Sequence, residues 1–271
     1  MAMSINTNAG AMIALQSLSA TTRSLETTQM RVTTGLRVAG PKDDAATFAI
    51  AQNMRGDIAG MGAVKTNLAL GQSITNVAID AGKAVADLLI EMKAKAVQAS
   101  QEGLDTDSYT ALHAEFTSLR DQIASIVATA EFNGKNLIDS GAADLKVLST
   151  VDGSTITVTK QSIDTTTLGI LTIALTDATV AATALSAVSQ AIISVSNALA
   201  SLGSGAKRID IQSDFTGKLM DILKQGVGNL VDADLAQESA NLQAFQIKQQ
   251  LGVQALAIAN AGPQAILSLF G

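Results

Sequence analysis

Residues 11–32 read AMIALQSLSATTRSLETTQMRV, and this stretch decides the fold. Apolar side chains recur in it at seven-residue intervals, with further apolar residues between them, which is typical of a coiled-coil helix. The repeat consists of Ala11, Leu18, Leu25 and Val32, with Met12 and Leu15 in between. The N-terminal part of the chain is therefore predicted to be a long helix that pairs with another helix.

The C-terminal part repeats this pattern. Leu235, Leu242 and Leu256 keep the seven-residue spacing, and Phe245 lies on the same side. No ionisable side chain occurs in residues 1–22 or 249–271. Helices that are apolar on more than one face need several neighbours to cover them, and further copies of the chain can supply these. The predicted polymer seam consists of Ile5, Met12, Leu15, Leu18, Leu25, Val32, Leu235, Leu242, Phe245, Leu256, Ile266 and Leu269.

The composition also favours long packed helices. Hydrophobic residues make up 47% of the chain but aromatic residues only 3%, so small aliphatic side chains carry the apolar content. The net charge of -6 and the lack of a basic cluster argue against a nucleic-acid partner. The absence of cysteine excludes disulfides and thiolate chemistry.

Local signals place the helix ends in the first half of the chain. A helix over residues 4–34 is predicted to end at Gly35, and Gly40 with Pro41 marks a turn. Asp43 and Asp44 then begin a second helix that extends to about residue 100, because carboxylates favour the first turn of a helix. A third helix is expected over residues 108–129, and Asn133 with Gly134 forms the next turn.

The second half of the chain is predicted to contain a short β-hairpin or meander and then more helix. Residues 155–159 alternate with period two, and twelve of the 28 residues from 149 to 176 are Ser or Thr. This cap is expected to be dispensable for assembly. Helices should follow over 178–203 and 206–261, with a break at 203–205 and a joint at 226–228. The predicted fold class is mainly α: a long antiparallel helical bundle or coiled coil with a small β-hairpin cap, in which both termini form paired helices.

No catalytic or metal-binding pattern is present. His113 is the only histidine, so a multi-histidine zinc site cannot form, and we expect no enzymatic activity, metal or cofactor. Residues 178–206 and 249–271 are long enough to span a bilayer, but each contains several polar side chains and neither has a basic flank. Membrane insertion is therefore not expected.

Several motifs resemble those of bacterial flagellins, in the same order along the chain. The stretch TTGLRVAGPKDDAA at 33–46 is similar to the family pattern S-S-G-x-R-I-x-S-A-K-D-D-A-A. Similar matches are SINTN at 4–8, EFNGKNLI at 131–138, DADLAQE at 232–238, QIKQQLG at 246–252 and the end of the chain from 257 to 270. No such resemblance covers the middle third.

The resemblance implies a protomer that polymerises into the flagellar filament for swimming motility. It divides the chain into filament-core helices at 1–42 and 226–271, outer helical segments at 43–140 and 178–225, and a β cap at 141–177. Implied partners are further copies of the chain, hook-associated and cap proteins, an export chaperone and the flagellar type III export apparatus. The N-terminus lacks a basic n-region and a compact apolar core, so an extracellular location is expected without a cleaved signal peptide.

Two alternatives remain open at this stage. A hook-filament junction protein shares the terminal homology, although the C-terminal motifs match flagellin closely. A secreted coiled-coil effector or adhesin would also carry long apolar helices. Electron microscopy of purified protein distinguishes these alternatives, because a flagellin forms long tubes whereas the others form discrete particles.

Overall fold

The computed structural model describes residues 7–267, and side chains are described for residues 7–261. The helices are α1 (Ala9–Thr34), α2 (Ala45–Ala99), α3 (Thr106–Thr129), α4 (Ala178–Val231) and α5 (Leu235–Leu267). The strands are β1 (Glu131–Phe132), β2 (Lys135–Asn136), β3 (Leu145–Leu148) and β4 (Thr155–Val158). The mainly α fold class with a small hairpin is confirmed. The described residues form two compact units: the terminal unit, up to residue 56 and from 222 onward, and the hairpin unit, residues 57–221.

The helix ends predicted from local signals are confirmed. Gly35 has φ 71° and donates its N–H to the Arg31 carbonyl, so it ends α1 in the left-handed conformation that glycine adopts without strain. The Asp44 carboxylate accepts from the backbone N–H groups that begin α2. Asp105 does the same for α3 by accepting from Ser108 N at 3.1 Å.

The hairpin unit has a continuous hydrophobic core between α2, α3 and α4. Buried residues on α4 alternate at spacings of three and four, which turns one face of the helix to the core. They are Ala181, Ala184, Val188, Ala191, Val195, Ala198 and Leu202. Among the described helices, α4 alone is long and apolar enough to cross a membrane, with mean hydropathy 1.6 over its most apolar window. Of that window 28% is buried, and the buried residues form the stripe that faces the core.

The hairpin β3–β4 packs on helical glycines of the same unit. A Cβ built on Gly71 would lie 2.5 Å from Val147 Cγ2, and one built on Gly205 would lie 2.9 Å from Val158 Cγ1. Because real side chains do not approach this closely, the valines fit only where the helix has no side chain. The predicted break at 203–205 is therefore wrong: α4 continues through it. The packing of Val158 outweighs the cost of about 1 kcal/mol for a glycine in a helix.

The β-strands cover less of the predicted β cap than expected, but side chains of the cap segment are more deeply buried than an outward-facing hairpin would be. β1 and β2 form a tight hairpin in which Asn133 and Gly134 have φ 52° and 70°. β3 and β4 pair antiparallel from Leu145↔Val158 to Leu148↔Thr155, and the structure has no strand between residues 159 and 177. That stretch nevertheless buries Ile163, Ile170 and Leu175 in the core. The burial argues against the expectation that the cap is dispensable.

Candidate assembly surface

Helices α1 and α5 pair antiparallel within the terminal unit. Arg31 Nη1 lies 3.1 Å from Glu238 Oε1 near the C-terminus of α1. Further along, a Cβ built on Gly252 would lie 3.1 Å from Leu18 Cδ1. Near the start of α1, Asn8 Nδ2 donates to the Ala259 carbonyl at 2.8 Å. The two residue numbers of each contact sum to nearly the same value, as an antiparallel pair in one constant register requires.

Much of the predicted seam faces this partner helix in the same chain. The predicted residues on this face are half-buried, namely Leu18, Leu25, Val32, Leu242, Phe245 and Leu256. Thr28, on the same side of α1, is buried. Ile5 and Leu269 lie outside the described residues, and the side chain of Ile266 is not described. The role of the seam in contacts between copies stays a prediction.

The remaining predicted seam residues, Met12, Leu15 and Leu235, are exposed, and further exposed apolar residues accompany them. Met12 is 63% exposed and Ile258 is 75% exposed. We define the uncovered apolar surface as Met12, Ile13, Leu15, Leu235, Ile247, Leu251, Val253 and Ile258. The sequence-based prediction missed five of them: Ile13, Ile247, Leu251, Val253 and Ile258.

A second heptad on α5 could have revealed most of the missed residues. Ile247, Leu251 and Ile258 follow one another at spacings of four and seven, so they share one face. At 100° per residue this face lies opposite the face of Leu242 and Leu256. The helix is therefore apolar on two opposite sides, of which α1 covers one.

The segment that follows α1 is hydrogen-bonded to the segment that ends α4 and precedes α5. We call these two segments together the joint. Arg37 N donates to the Val231 carbonyl at 2.7 Å, and Ala233 N donates to the Gly35 carbonyl at 2.9 Å. The Arg37 guanidinium donates to the Leu230 carbonyl at 2.6 Å. The two Arg37 donors thus satisfy carbonyl groups that the end of α4 would otherwise leave unpaired.

The predicted position of the joint is wrong. It was expected at 226–228, but α4 continues to Val231 and the interruption lies at 232–234. Asp234 then begins α5, since its carboxylate accepts from Ala236 N at 2.9 Å and Gln237 N at 3.2 Å. Capping groups therefore decide where the helix ends, and the glycines do not interrupt it.

Asp43 and Asp44 act at the start of α2 in different ways. Asp43 Oδ2 accepts from Ala39 N at 3.0 Å and Gly40 N at 3.1 Å, which closes the turn that contains Gly40 and Pro41. Asp44 accepts from the Thr47 hydroxyl at 2.6 Å and from Thr47 N at 3.1 Å. These hydrogen bonds, the hydroxyl first, hold the pKa of the Asp44 carboxyl below its ordinary value.

The described residues contain no arrangement suited to metal binding. No group of three or more His, Asp or Glu side chains lies close enough together to hold an ion in this part of the chain. His113 Nδ1 accepts from Leu175 N at 3.2 Å, so the imidazole anchors the segment before α4 to α3. Exposed large apolar side chains occur on several elements, and those on α1 and α5 lie on the helix pair that carries the predicted seam.

Family models match most of the chain. The model of the bacterial flagellin N-terminal helical region matches residues 5–143, and that of the C-terminal helical region matches residues 185–270. The chain belongs to the bacterial flagellin family. This flagellin is a structural subunit of an extracellular flagellar filament, a family role that fits its uncovered helical pair. Self-polymerisation and association with hook-associated proteins follow from the same membership.

Relatives of known identity match this flagellin over nearly its whole length. It is 48% identical over 268 residues to flagellin FljK of Caulobacter vibrioides, with 98% of each chain covered. It is 37% identical to a flagellin of Brucella melitensis, with 98% of this chain and 99% of the relative covered. Full-length identity to flagellins does not favour the junction-protein alternative.

Solved structures agree with the fold. The crystal structure of Bacillus cereus flagellin matches with TM-score 0.51 and 25% identity over 55% of this chain and 88% of that one. A putative flagellar hook-associated protein from Vibrio parahaemolyticus matches with TM-score 0.58 over 70% of this chain and 100% of that one. At 14% identity, the second likeness shows the fold alone.

Proposed function

We propose that copies of this flagellin polymerise through the uncovered apolar surface on α1 and α5. The observation that carries the proposal is the exposure of large aliphatic side chains such as Ile258, at 75%, on a helix pair whose facing sides are half-buried against each other. Burial of one such side chain stabilises a contact by roughly 1.5 to 3 kcal/mol. The uncovered apolar surface contains eight such side chains on the two helices, and their combined burial would drive association. Every further copy of the chain presents the same surface.

The helix pair would form the core of the filament. In this proposal residues 1–42 and 226–271 make an inner layer of paired helices, and residues 43–225 make the outer layer that carries the β cap. The proposed role is structural, as in the flagellin family, and we assign the chain no catalytic role. We propose no membrane insertion for this chain. The filament that it forms would serve swimming motility.

Assembly of an extracellular filament requires export of the subunit and partner proteins at the filament ends. We infer export through the flagellar type III apparatus, the route that membership in the flagellin family implies. An export chaperone would cover the apolar helices before assembly, because uncovered apolar patches promote aggregation. Hook-associated and cap proteins are the expected partners at the filament ends.

A charge on the uncovered surface tests the proposal. Leu251 is 56% exposed, so Leu251→Asp should leave the isolated chain folded. Polymerisation should be abolished, because a carboxylate buried between copies without a partner costs several kcal/mol. Leu251→Met is the matched control and should polymerise normally, since it keeps volume and apolarity.

The measurement is sedimentation of polymer with circular dichroism of the soluble fraction. Filaments of Leu251→Asp at the wild-type protein concentration would contradict the proposal. A normal helical signal together with a loss of pelleted protein would support it.

A further inference from the structure

The Arg31–Glu238 ion pair joins α1 to α5 in a groove that Arg23, Thr28 and Asn241 also line. Arg31 Nη1 lies 3.1 Å from Glu238 Oε1, and Glu238 is only 9% exposed. Further along the two helices, the half-buried positions carry small or aliphatic side chains. These include Ala11, Ala14, Leu18, Leu25, Leu242 and Leu256.

The geometry of the pair makes it a poor source of stability. Arg31 Nε and Glu238 Oε2 are both buried and have no hydrogen-bond partner among the described residues. Glu238 is largely removed from water whereas the Arg31 side chain stays 33% exposed, and an incompletely hydrogen-bonded pair recovers only part of its desolvation cost. The helix dipoles offset some of it, because Arg31 lies in the last turn of α1 and Glu238 in the first turn of α5.

The apolar face by itself leaves alternative registers open. Its side chains recur every seven residues, so a shift of α1 by seven residues along α5 would again bring apolar groups together. The linker from α1 to α2 runs over residues 35–44, and main-chain hydrogen bonds from Arg37 N and Val38 N to the Val231 carbonyl hold its first part. The main-chain hydrogen bonds of the joint oppose a shift. Because they join backbone atoms, they do not depend on which side chains are aligned between α1 and α5.

The ion pair penalises both shifts. In one direction Arg31 would lie level with Phe245, and in the other Glu238 would lie level with Ser24. Either shift leaves a charge at the helix interface without its partner, which disfavours the shifted register. Polar groups in apolar helix interfaces are known to fix register in this way.

We propose that the Arg31–Glu238 ion pair selects the register in which α1 and α5 pair. The pair is a specificity contact, and its contribution to the stability of the helix pair is small or negative. The correct register places Met12 of α1 level with Ile258 of α5, so it decides which exposed apolar side chains stand together. The proposal concerns pairing inside one chain and does not rest on polymerisation.

Engineered disulfides can read the register directly, since the natural chain has no cysteine. A Cβ on Gly252 would lie 3.7 Å from Leu18 Cβ, within the usual range for a disulfide, so Leu18→Cys with Gly252→Cys reports the native register. Leu18→Cys with Ala259→Cys reports a shift of seven residues, because in the native register these positions are about 10 Å apart along the helices. Intrachain crosslinks are counted by non-reducing electrophoresis of the full chain.

The apolar replacement Arg31→Met with Glu238→Leu should raise the ratio of shifted to native crosslink at least about tenfold. The urea midpoint of the same variant should stay equal or rise, which a purely structural role would not allow. The charge exchange Arg31→Glu with Glu238→Arg should return the ratio most of the way to that of the natural pair.

Three results would overturn the proposal. The first is an unchanged ratio in the apolar replacement. The second is the loss of both crosslinks there, which would mean that the ion pair holds the helices together and does not choose their register. The third is a charge exchange that leaves the ratio as high as in the apolar replacement.

Discussion

At the scale of single residues, carboxylates at helix starts are the clearest link between sequence and structure. Asp44 and Asp105 each precede a helix and accept hydrogen bonds from its first turn. Such signals are local, so the sequence was sufficient to predict Gly35 and Asp44 as helix boundaries. Asp234 is an equally local signal, but the prediction overlooked it because the glycines at 226–228 had already been assigned as the joint.

Acid should weaken the fold through these same carboxyls. Hydrogen bonds from Thr47 and from Ser108 hold the pKa of Asp44 and of Asp105, respectively, below the ordinary value. A lowered pKa in the folded state means that the stabilisation is fully present above the unfolded-state pKa and is lost as pH falls through the folded-state pKa. Stability should therefore decline in the acid range, below about pH 4.

The pH dependence can be measured by urea unfolding between pH 6 and pH 3. The double variant Asp44→Asn with Asp105→Asn should show a shallower decline than the natural chain, because two of the linked groups are gone. A decline of unchanged steepness in the double variant would show that other groups cause it.

At the scale of secondary-structure elements, the structural role of a glycine can depend on a packing partner that is distant in sequence. Gly203 and Gly205 read as a helix break, but Gly205 gives space to Val158, which is 47 residues away in sequence. No local pattern encodes that partner. The heptads of α1, α4 and α5 are periodic over many residues, and for this reason the sequence predicted these long helices although it misplaced their interruptions.

Two neighbouring glycines provide a matched test of this interpretation. Gly205→Ala should destabilise the hairpin unit by about 1 to 3 kcal/mol, because the new methyl group overlaps Val158. Gly203→Ala has no atom within 4 Å of the new Cβ and should stabilise the same helix by up to about 1 kcal/mol. Urea midpoints of the two variants check the prediction. Equal effects of the same sign would contradict it.

At the scale of the whole molecule, the sequence predicted the paired ends but not which of their faces stays uncovered. Uncharged apolar termini implied partner helices, and the heptad identified Leu18 and Leu242 as contact residues. Their partners proved to lie largely in the same chain. Ile247 and Ile258 were missed because a helix that is apolar on two faces does not show which of them its own chain will cover.

The central claim is that copies meet through the uncovered surface of α1 and α5. It is tested most directly by maleimide labelling of Ile258→Cys, the one thiol in an otherwise cysteine-free chain. Ile258 is 75% exposed in the single chain, so the soluble protein should label rapidly. In the polymer the same thiol should be protected, and depolymerisation should restore its reactivity. Equal labelling of soluble protein and filaments would contradict the account, because the surface would then remain open after assembly.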